Sequence, residues 1–224
     1  MTRTGEAARP TLEDDSETFL EWIQGHSREF SFALLAIVAI ALGGWLYIEF
    51  GRTRTAKAEG LLAQAETTLS AQRLPEAQTQ FQRLVDSYEG TPAAGQGLLR
   101  LAQVLYEQGK FQDGVTRLEG SFDEYASGPL AVSVRQLAAA GYEQLGKPAD
   151  AAARYSEAAA KSGLGNERDG LNARAARAWA DAGRKDEAIR IWKTLLAKTG
   201  SPIANEARIR MGELSAGPAG ATPG

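Results

Sequence analysis

The chain has 224 residues, 43% of them hydrophobic, with no cysteine, one histidine and a formal net charge of −3. The apolar share supports a packed core, and the missing cysteines exclude a disulfide framework and thiolate metal sites. A net negative chain also lacks the basic excess with which a nucleic-acid binder neutralises phosphates.

In chain order, residues 1–29 form an acidic segment with seven acids against Arg3, Arg9 and Arg28. Its run Glu13–Glu17, "EDDSE", reads as a solvated acidic arm rather than a cation site. The next stretch, "FSFALLAIVAIALGGWLYIEF" over 30–50, carries no charge before Glu49. The 19 residues from Phe30 to Ile48 would reach about 28 Å as a helix, against a hydrocarbon core of roughly 30 Å. Trp45 and Tyr47 stand near one end, where amphipathic rings favour the interface. The leader is too long and too acidic for a cleaved signal peptide, so the spacing predicts an uncleaved transmembrane anchor over 30–50. Ala36, Ala39 and Gly43 share one helix face and would allow close packing on another membrane helix. Residues 51–57 follow as a basic juxtamembrane linker with Arg52, Arg54 and Lys57. Counted locally, those charges place the C-terminal side in the cytoplasm; long domains, however, cross largely regardless of such bias.

From 58 to 214 the sequence repeats. "YEQGK" at Tyr106–Lys110 returns as "YEQLGK" at Tyr142–Lys147, and steps of 37 from Gly109 reach Gly146, Gly183 and, backwards, Gln72. Five residues after each anchor come Ala77, Gly114, Ala151 and Ala188; nine after come Phe81, Leu118, Tyr155 and Trp192. Seven before stand Ala65, Ala102, Ala139 and Ala176, and four before stand Thr68, Leu105, Tyr142 and Trp179. Small residues where backbones approach and large ones where they interlock, at one period, mean paired helices stacked in a solenoid. The glycine is the turn inside each pair, free to take φ > 0. Helices are expected at about 56–71, 74–88, 93–108, 111–125, 130–145, 148–162, 168–182 and 185–199, with "SGLGNERDG" among the linkers. A capping helix at about 202–214 and a disordered tail, 215–224, would follow.

The segments "LAQVLYEQGKFQDGVTRL", "LAAAGYEQLGKPADAAARYSEA" and "AARAWADAGRKDEAIRIWKTL" carry a clear resemblance to the tetratricopeptide repeat over about 58–200. The first copy departs at Gln72 and Thr68, the second at Gly114 and Ser121. The fold class expected is therefore all-α: one transmembrane helix, four tetratricopeptide-type hairpins and a C-terminal cap. The layout also resembles the bacterial ancillary Sec-translocon subunit family, with "ETFLEWIQGHSREFSFALLAIVAIALGGWLYIEF", including Trp22, similar to that family's opening segment. That resemblance implies a single-pass protein of the bacterial cytoplasmic (inner) membrane, a cytosolic N-terminus and a periplasmic repeat domain. It also implies protein partners: the Sec translocon, envelope chaperones or nascent envelope proteins.

Catalytic chemistry finds little footing. His26 is the only histidine and stands beside the span, where an interfacial role fits better than a general base. "GLGNERDG" has no phosphate-loop lysine and no strand before it. No enzyme activity, cofactor or metal site is expected. A stacked array offers a groove lined by the first helix of each pair. Alignment puts Leu62, Glu66 and Leu69 there, then Leu99, Gln103 and Tyr106, then Gln136, Ala140 and Glu143, and finally Ala173, Arg177 and Asp181. Leu62, Glu66 and Leu99 occupy positions where carboxylate-clamp repeats carry Lys and Asn, so packing of peptide segments on apolar anchors is the more plausible mode. Residues 168–210 hold ten Lys or Arg against five acids, a basic end suited to an acidic partner or to anionic lipid. The expected function is a membrane-anchored adaptor, with a fixed structural subunit of a larger membrane complex as the alternative.

Overall fold

A computed structural model describes residues 27–198 and 202–216; Trp22, His26, the Glu13–Glu17 acids and residues 217–224 lie outside the described residues. The helices are α1 (Ser27–Ser70), α2 (Leu74–Ser87), α3 (Pro92–Glu107), α4 (Phe111–Glu119), α5 (Ala131–Gln144), α6 (Pro148–Lys161), α7 (Gly165–Asp181), α8 (Lys185–Leu196) and α9 (Ala204–Ala216). No strand occurs among the described residues. Contacts divide the chain into two units, 1–53 and 54–224, and the division falls within α1. Residues 51–57, expected as a linker, are helical.

In the first unit, Phe32 and every side chain from Leu34 to Phe50 are exposed. The second unit holds the repeats. Ala65 of α1 shares a core cluster with Ala77 and Phe81 of α2. Consecutive helices from α2 to α9 pack on one another, and α3 also touches α5.

The turn inside each hairpin has one backbone pattern. The Gly109 N–H donates to the Tyr106 carbonyl at 2.9 Å, and the Lys110 N–H to the Leu105 carbonyl at 2.8 Å. Gly146–Lys147 and Gly183–Arg184 repeat this pair of bonds, as does Gln72–Arg73. These are Schellman closures, which satisfy the last carbonyls of the first helix and require a left-handed residue between. The φ angles are +75°, +66° and +75° at the glycines and +59° at Gln72. An acid then sits in the first turn of each second helix (Glu76, Asp113, Asp150, Glu187), where it complements the helix dipole.

The repeat columns are the core. Ala65, Ala102, Ala139 and Ala176 are fully buried, as are Ala77, Ala151 and Ala188, while Phe81, Leu118, Tyr155 and Trp192 are at most 1% exposed. Burying each of those large side chains contributes about 1.5–3 kcal/mol. At Tyr106 the packing reaches across hairpins. A Cβ on Gly114 would strike the Tyr106 ring, and one on Gly141 would strike its hydroxyl and come 2.5 Å from Val115 Cγ2. Gly114 departs from alanine because Tyr106 occupies that space.

Two elements differ from expectation. Helix α4 ends at Glu119 instead of 125, with Gly120 as C-cap and the Ser121 hydroxyl donating to the Leu118 carbonyl at 2.7 Å. Phe122, Tyr125 and Leu130 turn inward onto the cluster of Leu98, Ala102, Leu118, Val134 and Ala138. Arg135 of α5, only 7% exposed, donates to the carbonyls of Tyr125 (3.0 Å), Ala131 (2.9 Å) and Phe122 (3.4 Å). Its guanidinium also lies 4.7 Å from the Phe122 ring centroid. One buried cation thus satisfies carbonyls of the 120–130 segment that a helix would otherwise have bonded internally. The shortened helix leaves a cleft of about 560 Å³ between α2 and α4, bordered by Asp86, Arg117 and Glu124. Helix α7 starts at Gly165, so much of the expected "SGLGNERDG" linker is helical. There the Ser162 hydroxyl donates to Glu167 at 2.5 Å and accepts from the Leu164 N–H at 3.2 Å.

Candidate protein-binding groove

The first helices α3, α5 and α7 border one cleft of about 280 Å³, lined by Leu99, Gln103, Ser133, Gln136, Leu137, Ala140 and Arg174. It exists because repeats of one length bring equivalent faces of successive hairpins to the same side. Leu99, Gln103, Gln136 and Ala140 were expected in a groove and meet here. Ser133, Leu137 and Arg174 were not. The column Arg100, Leu137, Arg174 runs at the same 37-residue spacing, one residue after the chosen column of Leu99, Gln136 and Ala173. That spacing is the signal that could have found Arg174. Ala173 is a correction: it is 1% exposed, in a cluster with Ala176, Ala188 and Trp192.

The other expected residues lie elsewhere on these helices. Leu62 and Leu69 are half-buried against the first hairpin's core. Glu66 pairs with Arg100 at 3.5 Å, and Arg100 donates to Gln103 Oε1 at 3.1 Å. Tyr106 donates its hydroxyl hydrogen to the Leu137 carbonyl at 3.1 Å, tying two hairpins together, and burial pushes its pKa up. Glu143 accepts from the Tyr155 hydroxyl at 3.0 Å. Burial first, and then the Glu143 carboxylate, push the Tyr155 phenol up to about 12, while the Arg174 cation works against them. Arg177 donates a two-pronged fork to Glu206 of α9, at 2.7 and 2.9 Å. Those bonds hold the Glu206 carboxyl below its ordinary range. Exposed Asp181 borders a smaller pocket of about 150 Å³ with Arg177, Trp192 and Arg210.

Ala36, Ala39 and Gly43 are exposed in the first unit. The one helix among the described residues long and apolar enough to cross a membrane has its apolar window, from Leu34 onward, wholly unburied. A membrane span and a signal sequence both meet that description. Among the described residues, no group of three His, Cys, Asp or Glu side chains could hold a metal ion.

The model of the tetratricopeptide repeat-like domain matches this chain twice, over residues 21–138 and 46–176. The chain belongs to that family. Such tetratricopeptide repeat-like domains are generally non-catalytic scaffolds for protein–protein interaction. A crystal structure of the TPR-like repeats of a Podospora anserina protein, titled as a putative kinesin light chain with nearly identical repeats, superposes with a TM-score of 0.56. It is 16% identical and covers 72% of this chain and 87% of that one. A singly substituted form of the same repeats gives a TM-score of 0.55, 16% identity and coverage of 72% and 86%. At that identity the likeness shows the fold alone. The curated proteins contain no match.

Proposed function

We propose that this tetratricopeptide protein is a non-catalytic adaptor, anchored in a bacterial cytoplasmic membrane by the helix over 30–50. In this reading it binds protein segments in the α3–α5–α7 cleft, beside the Sec translocon or envelope chaperones. The observation that carries the reading is a cleft shared by three successive first helices, with an apolar floor beside the amides of Gln103 and Gln136. Anchoring is supported by an apolar stretch with no buried side chain, since so large an exposed apolar surface is not left in water. The place beside the translocon rests on the acidic segment, span and repeats in that order along the sequence.

Affinity purification of the full chain from detergent extracts tests it. Translocon components or envelope chaperones should be recovered; stable recovery of an unrelated complex with neither would remove the assignment. Orientation is read by Ser215→Cys, which places a single thiol in a chain without cysteine. A membrane-impermeant reagent should label it in intact cells if the repeat domain is outside the cytoplasm.

The exposed Ala36, Ala39 and Gly43 face favours a second reading, a fixed subunit whose span packs on another membrane helix. Stoichiometric recovery that survives high-salt washing would select it over the adaptor.

A further inference from the structure

We propose that the α3–α5–α7 cleft selects acidic, apolar peptide segments, with the partner's carboxylate seated on Arg174. This deepens the groove reading above and depends on it. Several charged side chains on the first helices already have partners. Arg100 pairs with Glu66, and Arg177 forks onto Glu206. Glu143 takes the Tyr155 hydroxyl. Arg174 is the one charged side chain lining the cleft, and it makes no ion pair with any carboxylate among the described residues. Its guanidinium is instead held 5.8 Å from the Tyr155 ring centroid, a contact that positions the cation without neutralising it.

The remaining lining matches the rest of such a segment. Leu99, Leu137 and Ala140 offer an apolar floor; Gln136 offers an amide to peptide N–H and C=O groups, and Gln103, whose Oε1 accepts from Arg100, offers its NH2 to a peptide carbonyl. At about 280 Å³ the cleft is near the lower limit of ordinary ligand sites, roughly 300–1,000 Å³. It therefore suits a side chain or two rather than a folded surface. A single guanidinium fits one carboxylate fork, whereas phosphorylated motifs are met by arginine clusters.

The test is a displayed library of random linear peptides panned on the purified full chain in detergent, beside Arg174→Glu and Ala140→Arg chains. Peptides selected by the wild type should be enriched in Asp or Glu next to Leu, Ile or Phe. Arg174→Glu should weaken them about tenfold or more and favour Lys or Arg instead, as expected for a lost charge-assisted bond. Ala140→Arg, which fills the cleft, should abolish binding. Should Arg174→Glu fail to fold, Arg174→Gln is measured, and it should weaken the same peptides about tenfold. Peptides that are lost with Ala140→Arg but show no acidic preference, or ignore both Arg174 variants, overturn this inference and leave the groove reading intact. Absence of any peptide sensitive to Ala140→Arg overturns both.

Discussion

Gln72 takes a left-handed backbone, φ +59°, at the register where the other three hairpins place glycine. Non-glycine residues meet a steric cost there of roughly 1–2 kcal/mol, from Cβ against the following carbonyl. The surrounding Schellman bonds over-determine the turn, so the conformation persists. Relief of that clash outweighs glycine's extra freedom in the unfolded chain, so Gln72→Gly should raise stability by up to about 1 kcal/mol, measured by urea unfolding. A second residue-scale pairing links Tyr106 and Gly114. Gly114→Ala should cost about 1–3 kcal/mol, because the methyl overfills the space beside the tyrosine ring. In a Tyr106→Leu background the loss should shrink, since the first hairpin already combines Leu69 with Ala77 at those positions. The double-mutant cycle measures the coupling.

Among the elements, the short α4 and the segment after it depend on Arg135. With Arg135→Ala, the carbonyls of Phe122 and Tyr125 lose a buried donor, and the Phe122 ring loses the nearer of its two cations, keeping Arg154 at 5.3 Å. A loss of about 3 kcal/mol is expected, read as a lower unfolding midpoint. At the other end, α9 is held by Ala207 in the core and by the Arg177 fork on Glu206. The Glu206 pKa is lowered in the folded state, chiefly by that hydrogen bond. Its stabilisation is fully present above the unfolded carboxyl value near 4.3 and fades as pH falls through the lower folded-state value. Glu206→Gln should thus be less stable than wild type at pH 7, by about 0.5–1 kcal/mol for a partly exposed pair. Thermal melts across pH should show the two converging as acid removes the wild-type advantage.

For the whole molecule, the division at Thr53 and Arg54 leaves Ala58, Ala65 and Thr68 buried on the repeat side. The side chains described from 32 to 50 all lie exposed on the other. A chain beginning at Arg54 should then be soluble and helical, with one cooperative melt by circular dichroism. Sedimentation of that shortened chain into aggregates would show that the repeat core needs the missing residues.

What the sequence determined by itself is the hairpin: its 37-residue spacing, its turn register and its columns of small and of large side chains. These follow from local rules. A turn residue must accept φ > 0, and one helix face must be small where another is large; both leave marks at fixed intervals. Gln72 shows how strong the register is, since it takes the glycine's conformation without being glycine. Tertiary structure alone decided what depends on distant partners. Phe122 and Tyr125 abandoned a plausible helix because Arg135, ten or more residues later, could meet their carbonyls. Of two adjacent groove columns, Ala173 was buried and Arg174 was left to the cleft, a one-residue rotation of helix α7 set by its packing on α6 and α8. A repeat period specifies which positions are equivalent. Which of two neighbouring positions faces the opening depends on how far each helix is rolled against its neighbours, and that roll is set by side-chain volumes summed across the interface.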